Sequence, residues 1–374
     1  ADLATVLASR PNPNANFTYN RRYVEVPSKK WDEEYFSQQY IGGFRGELPI
    51  GDWTWDAYLQ WDKVVHQQTQ RNAVFLSRMQ NLLSAPDGGL SLCEGGYNPF
   101  GIANVTGSSQ ECLDYLAGTT SSAAKSTRAA GEVVIQGTLF EAPAGPVQFA
   151  AIAGFRRDRF DYNPDKALAE QDVQAVVAAS PVDGATKVTE FAFEANIPLV
   201  DSLTVNLAAR ISDYELSGTT NTWKADGIWT PIPSVLVRGG YQKAIRAPNI
   251  GELFSPRTGD QVGFGNPPGG GDPCDSRRTG ANSTGSNAQL RQLCIDTGIP
   301  SAVVDTYIFP TSAAGGVFSG NPNLDPETAD TFTYGVVFTP DFDSELFSNL
   351  SVSLDYYSIE IQDVISTIDG SVSL

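Results

Sequence analysis

Along most of the chain the apolar residues recur at every second position, the spacing that turns one face of an extended strand toward an apolar medium and the other toward water. The clearest run is 53–67, where Trp53, Trp55, Ala57, Leu59 and Trp61 share one face and Thr54, Asp56, Tyr58, Gln60 and Asp62 the other. The run 203–214 repeats it, with Leu203, Val205, Leu207, Ala209 and Ile211 opposite Thr204, Asn206, Ala208, Arg210 and Ser212. In 235–246, Val235, Val237, Gly239 and Tyr241 alternate with Arg238, Gly240 and Gln242. Sheet pairing there is expected to stop at Arg246-Ala247-Pro248, because Pro248 has no N–H for a ladder bond and biases Ala247 toward an extended shape. Alternation and breakers together predict eleven strands: 16–24, 36–48, 53–67, 131–141, 147–160, 187–199, 203–214, 219–230, 235–246, 327–338 and 350–365. Helical heptads are nearly absent, so the fold class is all-β, and many of the strands exceed the usual globular length.

The connections carry a second pattern. Every other one is tight (49–52, 142–145, 200–201, 231–233 and a slightly longer 339–349), whereas 27–34, 69–130, 161–186 and 247–326 are long and only 217–218 is short. Short turns at one end and long loops at the other are what an outer-membrane barrel shows, and a soluble sandwich has no reason to distinguish its two ends so consistently. The long connection 69–130 is not featureless. Val74, Phe75, Met79, Leu82 and Leu83 recur at helical spacing before Pro86 and Gly88, and 109–116 suggests a second short helix. These read either as a folded loop over a barrel mouth or as local packing that hides apolar residues.

Composition narrows the picture in three ways. A chain of 374 residues can hold two ordinary domains or one large β domain. It has no apolar run of about 18 residues, which excludes a membrane-spanning helix but not a membrane-spanning strand. The net charge of −18 argues against a nucleic-acid partner, since phosphate contacts need a basic surface; it fits a solvated acidic exterior or acidic loops. The four cysteines fall as Cys93 with Cys112 and Cys274 with Cys294, each pair inside one Gly-rich connection, so neighbour pairing and an oxidising compartment are expected. The opening ADLATVLASRP has neither the basic start nor the apolar core of a signal peptide, which leaves a removed leader or a fragment.

No catalytic constellation emerges, so no enzyme activity is expected. The single histidine, His66, ends a strand and cannot by itself build a triad or a histidine metal site. Asp341, Asp343 and Glu345 lack the rest of a calcium loop, and Gly269 to Gly271 have no strand before them and no lysine after, so they read as loop. The Asn-x-Thr triplets at Asn16, Asn104 and Asn282 matter only in a eukaryotic secretory setting. No cofactor and no metal are expected.

Two stretches carry a family resemblance. Arg246, Ala247, Pro248, Asn249, Glu252, Leu253 and Phe254, followed after a long loop by Asn321, Pro322, Leu324, Pro326 and Glu327, resemble the barrel of TonB-dependent outer-membrane receptors. The likeness takes in Asn98-Pro99-Phe100-Gly101 and the strand layout, and so most of the chain. It implies that residues 1–374 form part of an antiparallel transmembrane β-barrel, about eleven strands of a probably 22-stranded one, with long extracellular loops and short periplasmic turns. By the same resemblance Arg246, Asn249 and Glu252 fix the outer end of a strand and its loop. Function follows the family: active import of a siderophore, vitamin, oligosaccharide or peptide, with outer-membrane lipid around the wall and a TonB-type energising complex acting through a plug. On the wet strand faces Gln148, Arg156, Asn206, Arg210, Arg238 and Gln242 are expected to look into the lumen, toward ligand or plug, because an arginine on the lipid face near the midplane costs about 2–4 kcal/mol. The segment shows no plug, ends in Ser-Val-Ser-Leu without a closing aromatic residue, and has an odd strand count, so an internal piece of a longer chain is expected. A passive porin and a soluble secreted β-sandwich binding module are the alternatives.

Overall fold

Strand alternation carries through to the fold. The computed structural model describes residues 8–13, 23–101, 107–174, 178–310, 312–340 and 350–367. In chain order these hold β1 (Lys30–Glu47), β2 (Thr54–Val74), α1 (Leu76–Ser84), α2 (Gln110–Leu116), β3 (Ala117–Ala142), β4 (Gly145–Pro164), α3 (Lys166–Ala169), β5 (Val182–Val200) and β6 (Leu203–Tyr214). Then come β7 (Gly218–Ile232), β8 (Val235–Arg246), α4 (Ile250–Phe254), β9 (Thr258–Gly263), α5 (Ala288–Asp296), β10 (Ala313–Phe318), β11 (Glu327–Phe338) and β12 (Val352–Gln362). Ten strands form one sheet in the order β1-β2-β3-β4-β5-β6-β7-β8-β11-β12, antiparallel from β3 onward, and β9 pairs with β10 in a separate ribbon.

Register shows why the sequence alternates. Thr138, Gln148, Asn196, Asn206, Asp226 and Gly240 are successive cross-strand partners from β3 to β8. One position along, Gly137, Phe149, Ala195, Leu207, Ala225, Tyr241 and Phe332 are partners on the opposite face. That second face carries Phe155, Phe191, Phe193, Ile211, Trp223, Tyr334 and Val336, all exposed, Phe191 by as much as 61%. A sheet that keeps such side chains uncovered has no layer packed against it and needs an apolar solvent. Close packing within the face survives only through missing side chains: a Cβ on Gly131 would come within 2.6 Å of the Phe155 ring and 2.7 Å of Leu59.

The chain divides into two compact units. The smaller comprises Ala1–Asp32, Thr69–Thr120 and Asp172–Gln174, and it has a true core: Leu82, Cys93, Tyr97, Cys112 and Leu116 are buried around the Cys93–Cys112 disulfide. Ser109 caps α2 by accepting from the Cys112 amide. The Arg78 guanidinium lies 4.4 Å over the Phe75 ring and donates to the carbonyls of Tyr115 and Ala117, so α1 is tied to the start of β3. The larger unit holds the rest of the sheet and the excursion between β8 and β11.

Several expectations need correction. The strand expected at 16–24 falls largely outside the described residues, and of its described residues Tyr23 and Val24 are not in a strand; among the described residues the large sheet has ten strands. Strands expected to begin at 36, 131 and 187 begin at Lys30, Ala117 and Val182, and those expected to end at 67 and 160 run on to Val74 and Pro164. Their extra turns are rich in Ala, Ser, Thr and charge, with no apolar face to betray them. The connections 27–34, 69–130 and 161–186 shrink accordingly. Within the long 247–326 connection lie α4, β9, α5 and β10. Asp341, Asp343, Glu345, Asn16 and Asn104 lie outside the described residues.

Candidate functional site

Two arrangements collect the residues singled out from the sequence. The first is the joint between β8 and β11. Arg246 and Glu327 are cross-strand partners. The Arg246 guanidinium grips Glu327 with two N–H groups, Nε to Oε2 at 2.6 Å and Nη2 to Oε1 at 2.9 Å, and Nη1 donates to both oxygens of Glu252 at 2.9 and 3.0 Å. Such a planar fork is what arginine offers and lysine does not. Pro248 ends the ladder and Asn249 starts α4, its side chain accepting from the Gly251 and Glu252 amides while Glu252 reaches back to the Asn249 amide, a complete capping box. Leu253 is buried, 2% exposed. Phe254 lies against Gly184 of β5, where a Cβ would collide with its ring.

The returning chain closes on the same point. The Asn321 amide donates to the Glu252 carbonyl and the Gly320 amide to the Ser255 carbonyl, both at 2.9 Å. A Cβ on Gly320 would come within 2.6 Å of the Leu253 backbone, so only glycine allows that approach. Asn321 also holds the Asn323 amide, Pro322 and Leu324 carry the chain over the joint, and Pro326 leads into β11. Beyond β12, the Ile365 amide donates to Glu327 at 2.7 Å. Arg246, Asn249, Glu252 and Glu327 are thus one structural node. Ala247 spaces Arg246 from Pro248.

The second arrangement is the polar face of the sheet. Gln148, Arg156, Asn206, Arg210, Arg238 and Gln242 all lie on it. They do not converge on one point. Asn206 sits mid-chain in a relay, accepting from Asn196 at 2.6 Å and donating to Asp226 at 2.8 Å, with Lys224 against Asp226 at 2.9 Å. Arg156 and Arg128 share Asp158 at 3.0 and 2.7 Å. Arg210 approaches Glu190, which also accepts from Ser212. Arg238 forms a two-pronged pair with Asp355 of β12 at 2.8 and 2.7 Å. Gln148 lines a shallow hollow of about 230 Å³ with Glu194, Asn196 and Lys224, and Gln242 lines a neighbouring one of about 320 Å³ with Glu190, Arg210 and Tyr214. These groups neutralise one another across strands and leave a wettable surface of mixed donors and acceptors.

Sequence reasoning missed a third arrangement, inside the β8–β11 excursion. Asp275, 1% exposed, accepts from the Arg277 amide at 2.8 Å, the Arg277 guanidinium at 2.6 and 2.9 Å, and the Phe309 amide at 3.0 Å. The guanidinium and those amides hold its carboxyl well below the usual carboxylate range. Arg291 of α5 pairs with Asp305 at 2.9 and 3.0 Å, and Cys274 is bonded to Cys294. An Asp-x-Arg beside a loop cysteine was the available signal. His66 has its ring stacked on Tyr35 at 4.2 Å, with Glu33 3.7 Å away.

Comparison with known proteins follows this geometry. The model of the TonB dependent receptor-like β-barrel family matches residues 2–374. Among solved structures, the siderophore receptor PirA from Acinetobacter baumannii aligns at 17% identity and a TM-score of 0.48, covering 89% of this chain and 35% of that one. A ferric enterobactin receptor (PfeA) mutant from Pseudomonas aeruginosa aligns at 14% identity and 0.48, covering 88% and 35%. The RagAB peptide importer in its closed-closed state aligns at 10% identity and 0.45, covering 90% and 30%. The chain therefore spans about a third of the length of the solved structures it matches. No curated protein matches it.

Proposed function

Because this chain belongs to the TonB dependent receptor-like β-barrel family, we propose that it forms wall and outer loops of an outer-membrane receptor that captures a scarce or bulky solute and imports it with TonB-coupled energy. The observation that carries this reading is the two-faced sheet. Phe155, Phe191, Phe193, Leu207 and Trp223 stand uncovered on one side, as lipid contact requires, while the Asn196-Asn206-Asp226 relay and the Arg238–Asp355 pair keep the other side wet. In this reading residues 1–374 are one partial barrel domain, the polar face lines the lumen and faces a plug, and the disulfide-tied loops lie outside the cell. Gln148, Arg156, Asn206, Arg210, Arg238 and Gln242 are then lumen contacts. The node at Arg246 shapes the rim and takes no part in ligand contact. The solute belongs to the class of siderophores, vitamins, oligosaccharides or peptides.

The test is uptake by cells carrying the full-length receptor, offered labelled members of each class with and without a protonophore. Uptake of one class that stops when the membrane is de-energised supports the reading. Swelling of liposomes by small sugars through the purified receptor, with no energy source, would overturn it in favour of a porin.

A further inference from the structure

The excursion between β8 and β11 encloses a cavity of about 460 Å³ whose walls come from Phe264, Gly269 to Gly271, Pro273, Arg278, Asn282, Asn287 and Leu290. Among the described residues no carboxylate lines it, in a chain with 43 Asp and Glu against 25 Lys and Arg. Its polar side chains are donors. Arg278 gives Nη1 to the Gly271 carbonyl at 2.5 Å, which fixes the plane of the guanidinium. Its Nε is buried with no partner among the described residues, and a guanidinium presents its remaining N–H groups to a planar two-oxygen acceptor. Asn287 spends its carbonyl oxygen on the Gln289 and Leu290 amides as the cap of α5, so its NH2 is the part left for the cavity. Asn282 is exposed at the wall and adds a second amide.

The remaining walls are apolar. The Phe264 ring is braced by Phe309, 5.4 Å between centroids, and Leu290 and Pro273 complete them. This part of the chain is held rigidly by the Cys274–Cys294 bond and the Asp275 clasp, so the donors are placed before any ligand arrives.

We infer that this cavity is a binding subsite for a carboxylate carried on a flat apolar body, the carboxylate meeting the guanidinium of Arg278 and the body lying against Phe264. The assignment deepens the importer reading, since it rests on the excursion facing the incoming solute and states one chemical feature of that solute.

The experiment uses the full-length receptor in detergent micelles, with benzoate, its neutral isostere benzamide, and phenyl phosphate as probes followed by saturation-transfer NMR. Benzoate is expected to bind in the millimolar range and at least about 10-fold tighter than benzamide, the factor one charge-assisted hydrogen bond supplies. Arg278→Gln removes that preference. Because Arg278 also holds Gly271, the decisive variant is Asn282→Asp, which puts a negative charge on the wall at an exposed position. It is expected to lose benzoate by about 10-fold with its melting temperature unchanged. Equal binding of benzoate and benzamide, unchanged benzoate binding by Asn282→Asp, or phenyl phosphate binding 10-fold tighter than benzoate would each overturn the proposal. Benzoate binding in micelles without energised uptake in cells would sink the importer reading and leave the subsite standing.

Discussion

Replacing Asp275 by Asn tests what holds the β8–β11 excursion in shape. The wild-type carboxylate is almost wholly buried and serves two backbone amides and the Arg277 guanidinium, joining residues 275 and 309. Asn keeps the shape and one acceptor oxygen but loses the charge and turns an NH2 toward donors. Leaving buried donors unsatisfied costs about 1–3 kcal/mol, and breaking a fully buried ion pair sets a ceiling of about 3–5 kcal/mol. Arg277 is half exposed and can rehydrate, which lowers the ceiling, so opening of the excursion should become easier by about 2–4 kcal/mol. That is a rise of roughly 30-fold to several hundred-fold in the open population. Hydrogen–deuterium exchange of the full-length receptor in micelles reads it directly: peptides covering 272–280 and 305–310 should lose protection by that factor, while β6 should not change. The pH dependence has a fixed sign. The folded pKa of Asp275 is depressed, so its contribution is fully present above the ordinary carboxylate range and is lost as pH falls through the folded value; the protection factor, with the intrinsic pH dependence of amide exchange divided out, should be flat from pH 5 to 8 and fall only below about pH 4. Unchanged protection in Asp275→Asn, or a loss spread evenly over the sheet, would refute the clasp.

Three further outcomes are expected. Arg246→Gln should raise exchange in α4, at Gly320 and Asn321 and at Ile365 together, because one guanidinium and the carboxylate it grips hold all of them; a change confined to residue 246 would count against a shared node. Leu207→Arg should weaken refolding into lipid vesicles by about 2–4 kcal/mol whereas Ala208→Arg, opposite Glu194 on the polar face, should refold nearly as wild type; the reverse order in a urea titration would invert the two faces. Gly320→Ala should loosen the joint, seen as faster protease cleavage between β10 and β11, since its Cβ would push against the backbone of Leu253 and Phe254.

Much of the wall was legible because lipid writes a period of two into it. Strands expected at 203–214, 235–246 and 327–338 appear as β6, β8 and β11 with those bounds, each with a breaker at one end and an apolar face between. The period fails where neither face meets apolar surroundings: the start of β3, AGTTSSAAKSTRAAG, is extended but alternates nothing. The node was half legible. Arg246 and Glu252 lie close in sequence, but that Glu327 answers them is a fact of register. On the polar face Asn206 was visible and its partners Asn196 and Asp226 were not, because a relay between strands leaves no mark along any one of them. The Asp275 clasp and the cavity near it depend on contacts between loop segments, which alternation does not encode.

The feet of the β8–β11 excursion, Arg246 and Glu327, stand 81 positions apart in sequence yet on one rung of the ladder. Because the rung is closed by its own side chains, everything between is a cassette. Halving or doubling its length alters the entropy of closing it by only about 0.6 kcal/mol. The cassette can therefore be exchanged whole, with the same two-residue clip left behind to receive whatever is inserted.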